Sequence, residues 1–250
     1  MTEAGGQDFS GRLAVVTGGG SGIGAQVATL LAARGAEVIV ADVNQGAARA
    51  IAKRIGATAR AVDVRDRDQV ADLFGSLERA PAVLVTCAGG ASRQPALEVD
   101  EALFHDTFDL NAGGFWRCTQ EAARRSIAAG TALSVVHLAS SLHRGPAPEL
   151  SHFSAAKAAS VALVRCFAQE LAGEKIRVNA VIPGPVETAA TTPIWDARPG
   201  LREALAQKLP LARIGQPIDV APAVLWLASD AAAWVTGAVL NVDGGLDVAP

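Results

Sequence analysis

Thr17-Gly18-Gly19-Gly20-Ser21-Gly22-Ile23-Gly24 is the stretch on which the fold turns. Before it lies Leu13-Ala14-Val15-Val16, a short apolar run suited to a buried strand. After it, residues 23–34 carry apolar side chains at helical spacing. A strand, a glycine turn and a helix in that order let the backbone approach a diphosphate closely. The helix N-terminus adds N–H donors and positive potential. A tight turn without a ligand is the bland alternative, but packing alone is a poor reason for five glycines in the seven positions 18–24. A glycine pattern is weak evidence by itself, so its context decides.

That context is an alternation along the whole chain. Apolar runs at 13–17, 38–42, 59–64, 83–88, 133–140, 177–182 and 239–242 alternate with amphipathic stretches at 23–34, 45–55, 67–78, 101–125, 152–172 and 217–228. The runs are near-continuous in Val, Leu, Ile and Ala, which marks strands covered on both faces. The expected fold class is α/β, a single doubly wound domain with about seven parallel strands flanked by helices. Residues 12–250 read as one domain, with no linker or repeat. Residues 1–11 are polar and glycine-rich without an apolar core, so a loose arm is expected there rather than a signal peptide. Residues 187–208 stand outside the alternation and carry Pro193, Trp195 and Pro199. A segment of that kind is expected to act as a lid over a site.

Composition removes several function classes. Half of the 250 residues are hydrophobic and only 19% are charged, which excludes a disordered chain. A net charge of −3 leaves no basic footprint for nucleic acid. No apolar run reaches the length of a membrane span without a charge or glycine. Cys87, Cys118 and Cys166 have no metal-type spacing. They are expected to be small buried hydrophobes in a reducing cytoplasm, and no metal site is expected.

Asp42 ends the second apolar run, 20 residues after Gly22. An acid there accepts hydrogen bonds from an adenosine ribose diol and repels a 2′-phosphate. No Arg or Lys lies in the glycine turn or beside Asp42, so NAD is favoured over NADP. The competing role for Asp42 is a helix N-cap, which Asn44 could equally fill.

Several ordered motifs now carry a resemblance. They are Thr17-Gly18-x-x-x-Gly22-x-Gly24, Asp63-Val64, Ala88-Gly89, Asn111, Ser140, Lys157 and Pro183-Gly184-Pro185-Val186-Glu187-Thr188, followed by Arg213-Ile214-Gly215-Gln216-Pro217 and Val242-Asp243-Gly244-Gly245. From about Arg12 to Gly245 the chain resembles a short-chain dehydrogenase/reductase, with a Rossmann-type domain. The resemblance implies that Gly18, Ser21, Gly22, Ile23 and Gly24 hold the pyrophosphate. Asp42 and Val43 would frame the ribose, and Asp63 and Val64 the adenine. Ala88 and Gly89 would let the cofactor pass over the fourth strand, while Ile182, Gly184, Val186 and Thr188 would fix the nicotinamide end. It also implies a homodimer or homotetramer acting on a small carbonyl or alcohol. The chain departs from the family at Thr86-Cys87, where paired asparagines normally support the turn.

The second departure is chemical. In the family a serine hydrogen-bonds the substrate oxygen, a tyrosine supplies the proton, and a lysine lowers the phenol's pKa and holds the ribose. An asparagine positions a connecting water. Asn111, Ser140 and Lys157 match, with Lys157 also an implied cofactor ligand, but the tyrosine position holds Phe153 and the chain contains no tyrosine. Phe153 and Lys157 are four apart, so they share a helix face. Three origins fit such a chain: an engineered tyrosine-to-phenylalanine variant, a natural member with another proton source, or drift to a non-redox or binding role. Among substitute acids His143 ranks first, three residues after Ser140; a solvent-facing loop histidine is its bland reading. His152 sits about 100° around the helix from Phe153. His137 is expected inside the fifth strand and His105 on a helix surface. Lys157 could itself relay a proton if desolvated. Trp226 and Trp234 read as core or subunit contacts, and Trp195 as part of the lid. The expected activity is NAD(H)-linked interconversion of a secondary alcohol and a ketone, with the proton step impaired or relocated. The alternative is a dehydratase, isomerase, cyclase or cofactor-binding protein on the same scaffold.

Overall fold

The computed structural model describes residues 8–145 and 147–248. Strand β1 (Leu13–Thr17) is buried along its whole length, and its side chains alternate between two cores. Ala14 and Val16 enter one layer; Leu13 and Val15 enter the other. A strand sandwiched this way must be apolar at every position, which is why the run shows no polar alternation.

The same logic builds the rest. After β1 come α1 (Gly22–Ala33), β2 (Glu37–Asp42), α2 (Gln45–Ile55), β3 (Thr58–Ala61), α3 (Arg67–Gly75) and β4 (Val83–Thr86). Then follow α4 (Glu101–Phe108), α5 (Gly114–Ala129), β5 (Leu133–Leu138), α6 (Ser151–Leu171) and β6 (Ile176–Pro183). The chain closes with α7 (Thr192–Asp196), α8 (Leu201–Gln207), α9 (Pro217–Ala228) and β7 (Val239–Val242). The described strands form one seven-stranded parallel sheet in the order β3-β2-β1-β4-β5-β6-β7. One apolar layer joins the sheet to Val27 and Leu31 of α1 and to Val220, Val224 and Leu227 of α9. The other joins it to Phe74 of α3, Phe115 and Cys118 of α5, and Val164 of α6. Each fully buried Val, Leu or Phe contributes about 1.5–3 kcal/mol. The chain order reverses between β1 and β4, so a crevice opens at the carboxyl ends of those strands.

Three expectations are corrected. The loose arm does not extend to residue 11: Phe9 has no exposed surface and its N–H donates to the Arg34 carbonyl, so the ring anchors the start of the fold. Residues 1–7 lie outside the described residues. The expected single helix over 101–125 is interrupted by a π-helical turn at Asp109–Gly113. Asn111 donates from its side chain to the Thr107 carbonyl, competing with the backbone ladder, and Gly113-Gly114 gives poor helical resistance. Cys166 is exposed rather than buried, because it lies two residues after buried Val164 and so on the opposite side of α6. Residues 187–208 are partly helical, as α7 and α8.

Candidate active site

The crevice is a cavity of about 680 Å³ lined from the glycine turn at one end to Ser140, Phe153 and Lys157 at the other. At the first end, Gly18 has a φ of +64°, and a methyl group there would lie 2.6 Å from the Ala88 amide nitrogen. Only glycine combines that backbone with that approach. The N-cap of α1, Ser21, makes no side-chain capping bond, and the first turn contains no acid. Its amides and positive dipole end therefore reach the cavity uncompensated, which fits a diphosphate.

Asp42 stands beside this turn. Its Oδ2 accepts from Gly20 N at 2.9 Å and its Oδ1 from Asn44 N at 2.9 Å. Asn44, not Asp42, caps α2 by accepting from Ala47 N. Val43, 68% exposed, lines the cavity next to Asp42, with Asp63 and Val64 beyond. Arg65 lines the wall here too, but its guanidinium is held by Asp63 (2.6 Å) and Asp106 (2.6 Å). Arg65 in turn holds the Asp63 carboxyl below the usual carboxylate range.

At the other end, Ser140 follows β5. Its Oγ accepts from Leu142 N at 3.2 Å, leaving the hydroxyl proton free to donate into the cavity. Lys157, one turn after Phe153 on α6, is 4% exposed. Its Nζ donates to the Leu138 carbonyl at 3.1 Å and lies 5.6 Å from the Phe153 ring centroid. Burial lowers its pKa to about 8. Gly89 keeps this place open: a methyl group there would sit 2.7 Å from Asn111 Oδ1 and 3.1 Å from Lys157 Nζ.

A polar chain behind the cavity fixes these parts. His137, fully buried in β5, pairs through Nδ1 with Thr86 Oγ1 (2.9 Å) and through Nε2 with Ser160 Oγ (3.0 Å). Ser160 Oγ donates to the Lys157 carbonyl at 2.8 Å, so it must accept from His137. His137 therefore carries its proton on Nε2, and Thr86 donates to Nδ1. Burial, and then Lys157, hold the ring neutral well below the usual histidine range. The turn that lacks paired asparagines is thus tied to β5 by Thr86.

Sequence and chemistry are matched by known proteins. Residues 18–247 match a family model described as enoyl-(acyl carrier protein) reductase. The chain is 42% identical to cis-4-hydroxycyclohexanecarboxylate dehydrogenase of Sinomonas cyclohexanicum, over 96% of this chain and 98% of that protein. The chain belongs to the short-chain dehydrogenase/reductase family. A second member of the family, galactitol 2-dehydrogenase (L-tagatose-forming) of Cereibacter sphaeroides, is 36% identical over 96% of each chain. A solved 7α-hydroxysteroid dehydrogenase in complex with NADH and 7-oxo glycochenodeoxycholic acid superposes with a TM-score of 0.91 at 31% identity, covering 98% of each chain. Short-chain dehydrogenases use nicotinamide cofactors, act on small molecules and commonly form oligomers, and this chain is an oxidoreductase of that family.

Most residues singled out from the sequence line this short-chain dehydrogenase's cavity, Ala88, Gly184, Val186 and Thr188 included. Three do not. Ile182 packs under the sheet with Ala139 and Val161, because strand side chains alternate; Pro183 takes the wall instead. Asn111 lies one layer behind, donating to the Gly90 carbonyl at 2.8 Å and accepting from Gly90 N at 3.1 Å. His143 is off the wall, and its Nδ1 donates to the Ser140 carbonyl at 2.7 Å. His152 is also turned away, pairing with the Ser92 carbonyl. Trp195 does line the cavity and is only 8% exposed, beneath Arg202 at 5.6 Å. Sequence reasoning missed Arg65, Arg93 and Leu150 on the wall. The loops that bring them there have no motif, although two arginines beside Asp63 and Gly90 were a visible charge signal. Among the described residues no group of His, Cys, Asp and Glu is placed to hold a metal, and no helix is long and apolar enough to cross a membrane.

Proposed function

We propose that this short-chain dehydrogenase interconverts a secondary alcohol and a ketone with NAD(H) in preference to NADP(H), and that Lys157 manages the proton in place of a phenol. The observation that carries the reading is the single cavity joining an uncompensated helix N-terminus and Asp42 to Ser140 and Lys157. Gly18, Ser21, Gly22, Ile23 and Gly24 would cradle the diphosphate, and Asp42 would receive the ribose diol and repel a 2′-phosphate. Arg65, the cation at that end, is already neutralised by two carboxylates. Thr188, held by Thr191, would meet the carboxamide at the far end. A bound nicotinamide supplies the hydride in reduction and accepts it in oxidation.

Ser140 would donate to the substrate oxygen as negative charge develops there. A ketone gaining a hydride also needs one proton. Phe153 has none to give. Lys157 is buried beside it, with ammonium protons not spent on Leu138, and titrates near neutrality. The Sinomonas and Cereibacter relatives are named for ring or chain alcohols of the secondary type, which supports the substrate class. Turnover of a ketone panel with NADH, by the parent and by Phe153→Tyr, tests the reading. The tyrosine variant should be faster by about 10²–10⁴-fold. If both bind NADH and neither turns over any ketone, the non-redox reading replaces this one.

A further inference from the structure

The far wall of the cavity points to a carboxylate on the substrate. Arg93 is the wall's second arginine, and nothing in the cofactor reading uses it. The apolar side chains lining the same cavity include Leu142, Leu150, Phe153, Ile194, Trp195 and Leu205. A guanidinium in that company is costly unless it meets an anion.

Its own chain answers only part of that need. Arg93 Nη1 donates to the Pro148 carbonyl at 3.1 Å and to Glu149 Oε2 at 3.4 Å. Arg198 Nη2 takes the same Glu149 oxygen at 3.3 Å. Two guanidiniums thus share one carboxylate, and the trio keeps one positive charge. Arg93 Nε is buried without a hydrogen-bond partner among the described residues. Nε and Nη2 form one edge of a guanidinium, and that edge donates two parallel hydrogen bonds to a carboxylate. Pairing with Glu149 uses the other end.

The loops are held in place for this. Gln94 N donates to the Glu149 carbonyl at 2.9 Å, and His152 pairs with the Ser92 carbonyl at 3.1 Å. Segments 91–94 and 147–150 are thereby stitched together at the start of α6, next to Phe153. Glu149 is held at a φ of +67°, which an L-residue rarely adopts. Backbone held this way clusters at ligand clamps.

We infer that Arg93 is a specificity-determining residue that binds the carboxylate of a compact, otherwise apolar hydroxy or keto acid, with Glu149 as its resident competitor. This deepens the alcohol–ketone reading above and rests on it.

The test compares 4-oxocyclohexanecarboxylate with its methyl ester, which keep the same ring and ketone. Binding to the NADH-loaded protein is read by calorimetry and by NADH fluorescence. The keto acid should bind at least about tenfold more tightly than the ester, the scale of one charge-assisted pair. Arg93→Gln should erase that preference while leaving NADH affinity unchanged. Glu149→Gln should widen it by freeing the guanidinium, a result that a merely structural Arg93 would not give. Equal binding of acid and ester by the parent, or a preference that survives Arg93→Gln, overturns the inference. Should the parent fail to bind NADH, the nicotinamide reading falls instead, and acid-over-ester thermal protection of the free protein still decides the role of Arg93.

Discussion

At the residue scale, the proposed proton step rests on Phe153 and Lys157. A phenol at position 153 would ordinarily be the group that a neighbouring ammonium tunes. Without it, the lysine's own depressed pKa, about 8, sets the pH response. In the proposed role the ammonium gives a proton during ketone reduction, so that rate should fall as pH rises through about 8. The neutral amine is needed in alcohol oxidation, so that rate should rise over the same interval. Initial-rate profiles in both directions check this, and a pH-independent reduction from 7 to 9 would remove Lys157 from the proton step. Asp42 offers a second check at this scale. Asp42→Asn removes the charge proposed to face the ribose while keeping both oxygen and nitrogen contacts possible. The ratio of Kd for NADP(H) to Kd for NAD(H) should fall roughly tenfold, as loss of about 1–4 kcal/mol of repulsion between charges 4 Å apart allows. Titration by fluorescence gives that ratio directly.

At the element scale, β4, β5 and α6 are fastened by Thr86, His137 and Ser160. Thr86→Val would keep the shape and leave His137 Nδ1 buried without a donor, costing about 1–3 kcal/mol. A chain of this size loses roughly 2–4 °C of Tm per kcal/mol. Thr86→Ser retains the donor and should stay near the parent, so calorimetry of the pair separates the hydrogen bond from the packing. The elements themselves were largely legible. Residues 13–17, 45–55, 217–228 and 239–242 have the bounds their apolar patterns indicate, because buried strands and amphipathic helices are written in side-chain order. What escaped was set by tertiary contact. The π-turn at Asp109–Gly113 depends on Asn111 reaching Gly90, a loop 21 residues away. Arg93 meets Glu149 across 56 residues, and the Phe9 N–H meets the Arg34 carbonyl on the far side of α1 in sequence. The glycine turn was legible because strand, glycines and helix are contiguous, whereas Ser140, Phe153 and Lys157 were singled out through the family resemblance, and the structure brings all three to one cavity wall.

At the scale of the whole molecule, large apolar side chains stand exposed on α9 and just before β7. Trp234 is fully exposed, and Trp226 and Ile218 of α9 are 43% and 48% exposed. The core alternative for both tryptophans is therefore corrected: Trp226 lies off the inner face of α9, which carries Val220, Val224 and Leu227, and Trp234 stands beyond that helix with its side chain uncovered. Strand β7 ends the sheet beside them with its outer ladder unpaired among the described strands. A bare edge and a large aromatic on one side of a short-chain dehydrogenase are what a subunit contact covers. A stable contact hides about 800 Å² per partner, and a tryptophan at its centre dominates the energy. The parent should then run as a homo-oligomer at micromolar concentration in light scattering after size exclusion. Trp234→Glu should shift it toward monomer without weakening NADH binding, since the cavity wall contains neither tryptophan. A parent that stays monomeric across that range would overturn the subunit contact, and a Trp234→Glu variant of unchanged mass would shift it to another exposed aromatic, Phe104 of α4, 40% exposed and packed on Phe108.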